Sequence, residues 1–226
     1  MSRLLFLAFC ASVALTAPAA AAQPRAGSRI DTAPGAVQSV ESEDEATARR
    51  VMRGFSGCVA RARTRWAEGA LALPFNSREQ GDYVRSAIGG SNDCLAAAGA
   101  ELRFRPPAMV GGMAEQLIEI RYARIDLAPI ARLEDSDIEA RGLRSRNGYE
   151  GLALCIVRRD AAAVRALVMT QPAGEAERAA LGRIVPHLGP CLDQGQTLTL
   201  DAQAIRALLA PTLYRTLAAL APQGRN

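Results

Sequence analysis

The stretches Gly54-Phe55-Ser56-Gly57-Cys58 and Gly151-Leu152-Ala153-Leu154-Cys155 both place a glycine four residues before a cysteine. A second cysteine follows each stretch at the same spacing, Cys94 in the first case and Cys191 in the second, and a leucine directly follows each of these later cysteines. Equal spacing and equal order of landmarks are the signature of an internal repeat. The pattern therefore predicts two copies of one unit.

Agreement between the two halves continues downstream of the cysteines. Leu102-Arg103-Phe104 and Leu198-Thr199-Leu200 are short alternating stretches, and each is followed by a helical pattern that ends near a tyrosine, Tyr122 or Tyr214. Alternation of this kind is a weak strand signal, whereas most of the chain shows helical spacing. We expect a predominantly helical, all-α fold in which two similar disulfide-closed units pack in tandem.

The N-terminus has the order of a secretory signal peptide. A short positive start at Arg3 is followed by an uncharged apolar run from Leu4 to Leu15 and by small residues from Ala17 to Ala22, which places cleavage before Gln23. The apolar run is shorter than the about 20 residues that a membrane-spanning helix needs. The predicted organisation is a signal peptide (1–22), a disordered acidic leader (23–46), helical unit 1 (47–125) and helical unit 2 with its connecting segment (126–226).

Export would place the four cysteines outside the signal peptide in an oxidising compartment, where disulfides persist. We therefore expect these cysteines to form disulfides. Three connectivities are open in principle, and a repeat in which each unit closes on itself selects Cys58–Cys94 and Cys155–Cys191. Each bond would remove roughly 4 kcal/mol of unfolded-chain entropy. A metal site or a redox-active dithiol would need closely spaced pairs such as C-x-x-C, which the chain lacks, so we expect no metal and no cofactor.

The composition excludes several kinds of chemistry. All 27 basic residues are arginine, and without lysine the chain has no Schiff-base amine, Ser-Lys dyad or P-loop lysine. The net charge is only +4, aromatic residues make up 4% of the chain, and the arginines are dispersed. We therefore expect no nucleic-acid partner, since a binding face would show clustered basic and aromatic residues.

Helix signals in the first half are an acidic run that opens a helix reaching Arg65, and a capping box at Ser77-Arg78-Glu79-Gln80. Pro106-Pro107 starts the next helix. Its apolar side is predicted to carry five large side chains, and its polar side Glu115 and Glu119. The five apolar residues are Met109, Val110, Met113, Leu117 and Ile120.

The second half has its own set of helix signals. Ser136-Asp137-Ile138-Glu139 is a second capping-box pattern, and Asn147-Gly148 is typical of a turn. Asp160 and Asp201 are predicted to cap helices, the second of which extends to about Leu220, while a further helix is expected from Gly174 to Val185.

Residues with catalytic potential are few. His187 is the single histidine of the chain, and it lies in the predicted rigid turn Pro186-His187-Leu188-Gly189-Pro190 with no local serine, cysteine or carboxylate to form a triad. The acidic run Glu134-Asp135, with Asp137, is better explained by helix capping than by paired-carboxylate chemistry. We interpret Trp66 and Tyr83 as core residues, and we identify no catalytic residue.

The motif Met113-Ala114-Glu115-Gln116-Leu117 lies downstream of a cysteine-paired helical unit, and in this the chain resembles exported alphaproteobacterial-type proteins with a duplicated unit. The resemblance covers about residues 47–220 and implies no activity. The hypothesis for the function is a non-enzymatic periplasmic or secreted binding or scaffold protein with an envelope protein as partner. The alternative is an envelope-polymer hydrolase that uses dispersed carboxylates.

Overall fold

The computed structural model describes residues 43–87, 93–95, 105–193 and 198–221. Within these ranges the protein is all-α and contains no strand, as predicted. Leu198–Leu200 is irregular, while Leu102–Phe104, the signal peptide and residues 23–42 of the leader lie outside the described residues. The helices are α1 Glu43–Ala62, α2 Thr64–Ala72, α3 Arg78–Ala87, α4 Pro106–Arg121, α5 Asp135–Ala140, α6 Gly148–Arg159, α7 Ala161–Met169, α8 Glu175–Leu188 and α9 Ala202–Leu220.

The acidic run opens the first helix, as predicted, but residues 43–46 are helical although the predicted organisation assigned them to the disordered leader. Helix α1 begins at Glu43, inside the range assigned to the leader, because three acidic residues in its first turn complement the positive end of the helix dipole. The single helix predicted to reach Arg65 is also wrong, since α1 ends at Ala62. A new helix, α2, begins at Thr64 after Arg63, whose φ of −134° is not helical.

Most predicted caps are present, and two lie elsewhere. Asp160 and Asp201 accept hydrogen bonds from the amides of the third residue of α7 and α9, as expected. Asn147 does not form a turn but is the N-cap of α6, where its side chain accepts from the amide of Glu150 at 3.0 Å. The box expected at Ser136 lies two residues earlier, with the amide of Glu134 donating to Asp137 at 3.2 Å.

Helices α4 and α9 cross at the centre of one continuous apolar core. The crossing depends on Gly111, since a Cβ atom there would lie 2.5 Å from the Cα of Ala207. The predicted apolar side of α4 is buried except for Ile120, which is 55% exposed. Glu115, assigned to the polar side, is buried instead, because it pairs with charged residues of other helices.

Both disulfides predicted from the sequence are formed, Cys58 with Cys94 and Cys155 with Cys191. Cys58 lies on α1 and Cys155 on α6. Each bond therefore fastens the helix that carries the first cysteine to a segment 36 residues further along the chain.

Helix positions recur at an offset of 97 residues. Helices α2 and α7 have the same length and the same relative position, and α3 and α8 begin at equivalent residues. Among the described residues, two residues other than glycine have positive φ, Asn76 at 57° and Ala173 at 62°, and they are also 97 positions apart. Asn76 lies just before α3 and Ala173 just before α8. The chain therefore turns in the same way between α2 and α3 as between α7 and α8, and we call these two turns the corners of the fold.

None of the helices in the described part of the chain is long and apolar enough to cross a bilayer.

Candidate functional site

The most unusual feature of the core is a network of buried charges centred on Arg206 of α9. The guanidinium binds Glu115 of α4 with two hydrogen bonds, from Nε at 2.9 Å and from Nη2 at 2.7 Å. Its Nη1 donates to Glu177 of α8 at 3.0 Å and to the hydroxyl of Thr170 at 2.9 Å. Arg206, Glu115 and Glu177 are each at least 95% buried, so this network joins three helices inside the protein.

Helix α1 completes the network with two further arginines. Arg49 donates to Glu177 Oε1 at 2.6 Å, and Arg53 Nε donates to Glu115 Oε2 at 3.1 Å. Arg53 also lies 3.6 Å from Glu119, whose side chain is 48% exposed. The network thus combines three guanidinium groups with two buried carboxylates and one carboxylate at the surface.

The electrostatic environment keeps Arg206 charged. Burial alone would lower its pKa, but the charges and hydrogen bonds of Glu115 and Glu177 outweigh that effect and raise the pKa. Buried ion pairs add little net stability when complete, whereas removing one partner is costly because a buried charge is left uncompensated. The network consequently makes the packing of α1, α4, α8 and α9 depend on one specific arrangement.

A small cleft of about 30 Å³ lies beside this network. The first turns of α4 and α9 line one side through Ala108 and Gln203, and the turn before α8 contributes Pro172. The remaining lining residues are Arg49, Met52, Arg53, Gly112, Glu115, Arg206 and Ala207. Its walls therefore include all three arginines of the network.

A second charged cluster surrounds Glu150, near the start of α6. Its carboxylate accepts from the amide of Phe75 at 2.9 Å, from the amide of Arg146 at 2.9 Å and from the Arg146 guanidinium at 2.6 Å. Arg215 of α9 lies 3.2 Å away. Arg146 also donates to the carbonyl oxygens of Ala72 and Leu73, so the cluster fastens the corner between α2 and α3 to the second half.

The contacts of Glu150 change its titration. Burial would raise the pKa of the Glu150 carboxyl, but hydrogen bonds from Arg146, the amides of Phe75 and Arg146, and the charge of Arg215 lower it to about 2. The pKa of Arg215 is lowered by its burial and by the neighbouring charge of Arg146. Glu150 is thus an ionised, fully partnered group at neutral pH.

The structure places His187 inside the last turns of α8, so the predicted rigid turn is wrong at this residue. Its Nε2 lies 3.7 Å from Asp160, a carboxylate that already caps α7. Trp66 and Tyr83 stack on each other with ring centroids 5.7 Å apart and pack against the core, half-buried. The structure thus brings Trp66 and Tyr83 together, while His187 lies beside Asp160.

Two larger clefts flank α6 and are open to solvent. One, of about 500 Å³, contains the exposed ion pairs Arg144–Glu139 at 3.8 Å and Arg158–Asp135 at 3.4 Å. The other, of about 570 Å³, includes Tyr149, which is 41% exposed. Exposed ion pairs of this kind contribute little to the stability of the fold, since solvent screens them.

Sequence patterns did not identify the charged core. Glu150, Glu177 and Arg206 each lie among buried apolar residues of their helices, and a charged residue within an apolar helical face is the signal that marks a buried charge. Among the described residues, no group of three or more histidine, cysteine, aspartate or glutamate side chains is placed to hold a metal ion.

Together these features define an all-α protein with two intrachain disulfides and a core that contains an arginine–glutamate network. Comparison with known proteins adds no relative, because no family model, curated protein or solved structure matches the chain.

Proposed function

We propose that this chain is a non-enzymatic binding or scaffold protein of the periplasm or the secreted fraction. The observation that carries the proposal is that three buried carboxylates are paired with arginines and are not free to act as acids or bases. Glu115, Glu150 and Glu177 all accept hydrogen bonds from arginine side chains. A general acid needs a pKa near the working pH, and the pKa of about 2 at Glu150 is far from that range.

Export is the second part of the proposal. It rests on the signal-peptide pattern of residues 1–22 together with two disulfides, a combination that suits an oxidising compartment. In such a compartment a small helical body gains stability from its cross-links, which suits a protein that presents a rigid surface to a partner.

We also infer that the two halves are copies of one unit. The support is the offset of 97 residues shared by the disulfides, by helices α2 and α7, and by the positive-φ residues Asn76 and Ala173. The resemblance to exported alphaproteobacterial-type proteins stays a prediction.

Exposed apolar side chains provide positions at which a partner can be trapped. Ile120, Tyr149 and Met169 are 55%, 41% and 40% exposed, and contact with a partner would bury them. We would place a photo-crosslinking amino acid at each position, express the full precursor at native abundance, irradiate cells, and identify adducts by mass spectrometry. Arg78, whose side chain is 95% exposed and polar, provides the matched control position.

A discrete adduct at one apolar position, absent at Arg78, is the expected result. Equal labelling of abundant neighbours at all four positions would contradict the proposal.

The hydrolase alternative is tested on purified protein with peptidoglycan, glycans and esters as substrates. Turnover that disappears on a single Asp or Glu substitution would replace the binding function with catalysis.

A further inference from the structure

The two disulfides differ in how far the protein shields them from solvent. Cys94 is 4% exposed and belongs to the apolar core, and its partner Cys58 packs against that core. In the second bond both cysteines are half-buried. Cys191 packs against the core, whereas Cys155 lies outside it.

The bond between Cys155 and Cys191 lies between the two open clefts that flank α6. Cys155 lines the cleft of about 500 Å³ that contains the exposed ion pairs, and Cys191 lines the cleft of about 570 Å³ that includes Tyr149. Gly151, one turn before Cys155 on the same face of α6, lines both clefts and has no side chain to cover the bond. A small thiol therefore has room to approach either cysteine.

The length of the closed loop does not distinguish the two bonds. Each bond joins cysteines that are 36 residues apart, so the chain-entropy contribution is the same for both. The rate of thiol–disulfide exchange also depends on the access of the attacking thiolate to a sulfur atom. A difference in reduction rate between the two bonds consequently reports their surroundings, and Cys58–Cys94 is an internal reference for Cys155–Cys191.

The second bond also ties together the two walls of the Tyr149 cleft. One wall comes from the start of α6, with Tyr149, and the other from the chain after α8, with Leu192 and Leu198. Cys155 lies on α6, and Cys191 ends the short 3₁₀ turn that follows α8. Opening this bond would release the second wall from α6.

We propose that Cys155–Cys191 is a redox-sensitive bond, which a dithiol opens in the folded protein while Cys58–Cys94 stays closed. One thiolate of the dithiol attacks Cys155 Sγ, the bond to Cys191 breaks, and Cys191 leaves as a thiolate. The second thiol then displaces Cys155 from the mixed disulfide, so the dithiol is oxidised to a disulfide and its two protons pass to the cysteines. The protein is the substrate of this exchange and needs no C-x-x-C pair of its own.

Reduction of the purified, oxidised protein by dithiothreitol is the first test. N-ethylmaleimide traps the thiols at successive times, and mass spectrometry of the digest quantifies each cysteine. We expect the Cys155–Cys191 pair to be labelled about tenfold faster than the Cys58–Cys94 pair, because the exchange rate follows access. In concentrated urea the two rates should become equal. Equal rates in the folded protein, or a tenfold difference that persists in urea, would overturn the inference.

A matched pair of glycine substitutions tests the route of attack. Gly151 and Gly54 are 97 positions apart, and each lies one turn before the first cysteine of its half. An added Cβ would meet only Ser145 at 3.9 Å in the first case and nothing within 4 Å in the second. Gly151→Leu should slow the reduction of Cys155–Cys191 about threefold, since its side chain lies beside the bond. Gly54→Leu is the control and should leave that rate unchanged, and an unchanged rate in Gly151→Leu would refute the approach through the clefts.

Glutathione, a monothiol, locates the attacked sulfur. The proposed step leaves glutathione on Cys155 and a free thiol on Cys191, which N-ethylmaleimide traps, and the reverse distribution would overturn the assigned attack.

The release of the cleft wall is tested at the amide of Leu192, which donates to the Gly189 carbonyl at 3.1 Å. After selective reduction this amide should exchange with deuterium faster than in the oxidised protein. Unchanged exchange would show that the bond does not hold the wall in place and would overturn this part of the inference.

Discussion

Glu150→Gln is the substitution that most directly tests the electrostatic account of the fold. The carboxylate accepts hydrogen bonds from the amide of Phe75 and from Arg146, and it lies beside Arg215. Glutamine keeps the size of the side chain and one accepting oxygen but removes the charge. Any change in stability therefore comes from the ionised group rather than from a cavity.

The expected magnitude follows from the pKa of this carboxyl, which falls from an ordinary value of 4.5 to about 2 in the folded protein. Such a difference corresponds to about 3 kcal/mol of folding free energy. Because the folded-state pKa is depressed, this stability is fully present above about pH 4.5 and is lost as the pH falls toward about 2. Above that window Glu150→Gln should be about 3 kcal/mol less stable than the wild type.

The assay is urea unfolding between pH 2 and pH 7, followed by the fluorescence of Trp66, the single tryptophan of the chain. The difference between wild type and Glu150→Gln should shrink as the pH is lowered through the window. Glu139→Gln, at a side chain that is 76% exposed, is the control and should follow the wild type. A constant difference between wild type and Glu150→Gln at all pH values would refute the titration of Glu150 as its cause.

Two further predictions concern packing and the cross-links. Gly111→Ala should destabilise the protein by about 1–3 kcal/mol, since its Cβ would meet the backbone of Ala207, and the effect is measurable as a lower urea midpoint. Gly182→Ala, in the interior of α8 with open space around it, should instead stabilise by about 0.5–1 kcal/mol, and a loss there would contradict the packing account. Replacing Cys155 and Cys191 together by serine should cost about 4 kcal/mol in the same assay, while equal stability with and without the bond would contradict a structural role.

Local patterns predicted the helical class and many of the helix termini. The helix starts at Pro106 and after Asp160 and Asp201 follow from side chains that satisfy nearby amides or fix φ, which are effects of a few neighbouring residues. The predicted turn at Asn147-Gly148 is instead a helix start, because the asparagine side chain accepts from the amide of Glu150. A turn and an N-cap use the same residue types, so only the following segment distinguishes them.

The charged core depends on contacts between residues far apart in the chain, which local patterns do not contain. Glu115 has the spacing of a solvent-exposed helical residue, yet it pairs with Arg206, 91 residues away. The depressed pKa of Glu150 likewise needs Phe75 and Arg215, from the other half and from another helix. The disulfides could be predicted because compartment and equal spacing restrict long-range pairing in a way that charge does not.

The two corners of the fold differ in whether the side chain that binds the positive-φ residue carries a charge. Gln80 and Glu177 are 97 positions apart, and each accepts a hydrogen bond from the amide of a positive-φ residue, at 2.8 Å and 2.7 Å. The Gln80 amide also donates to the carbonyl of Ala70, which a carboxylate cannot do. At the second corner Arg206 supplies the donors instead, bonding Glu177 and the carbonyls of Val168 and Thr170. The carboxylate of Glu177, at the position where the first corner has the amide of Gln80, therefore makes α9 part of the second corner.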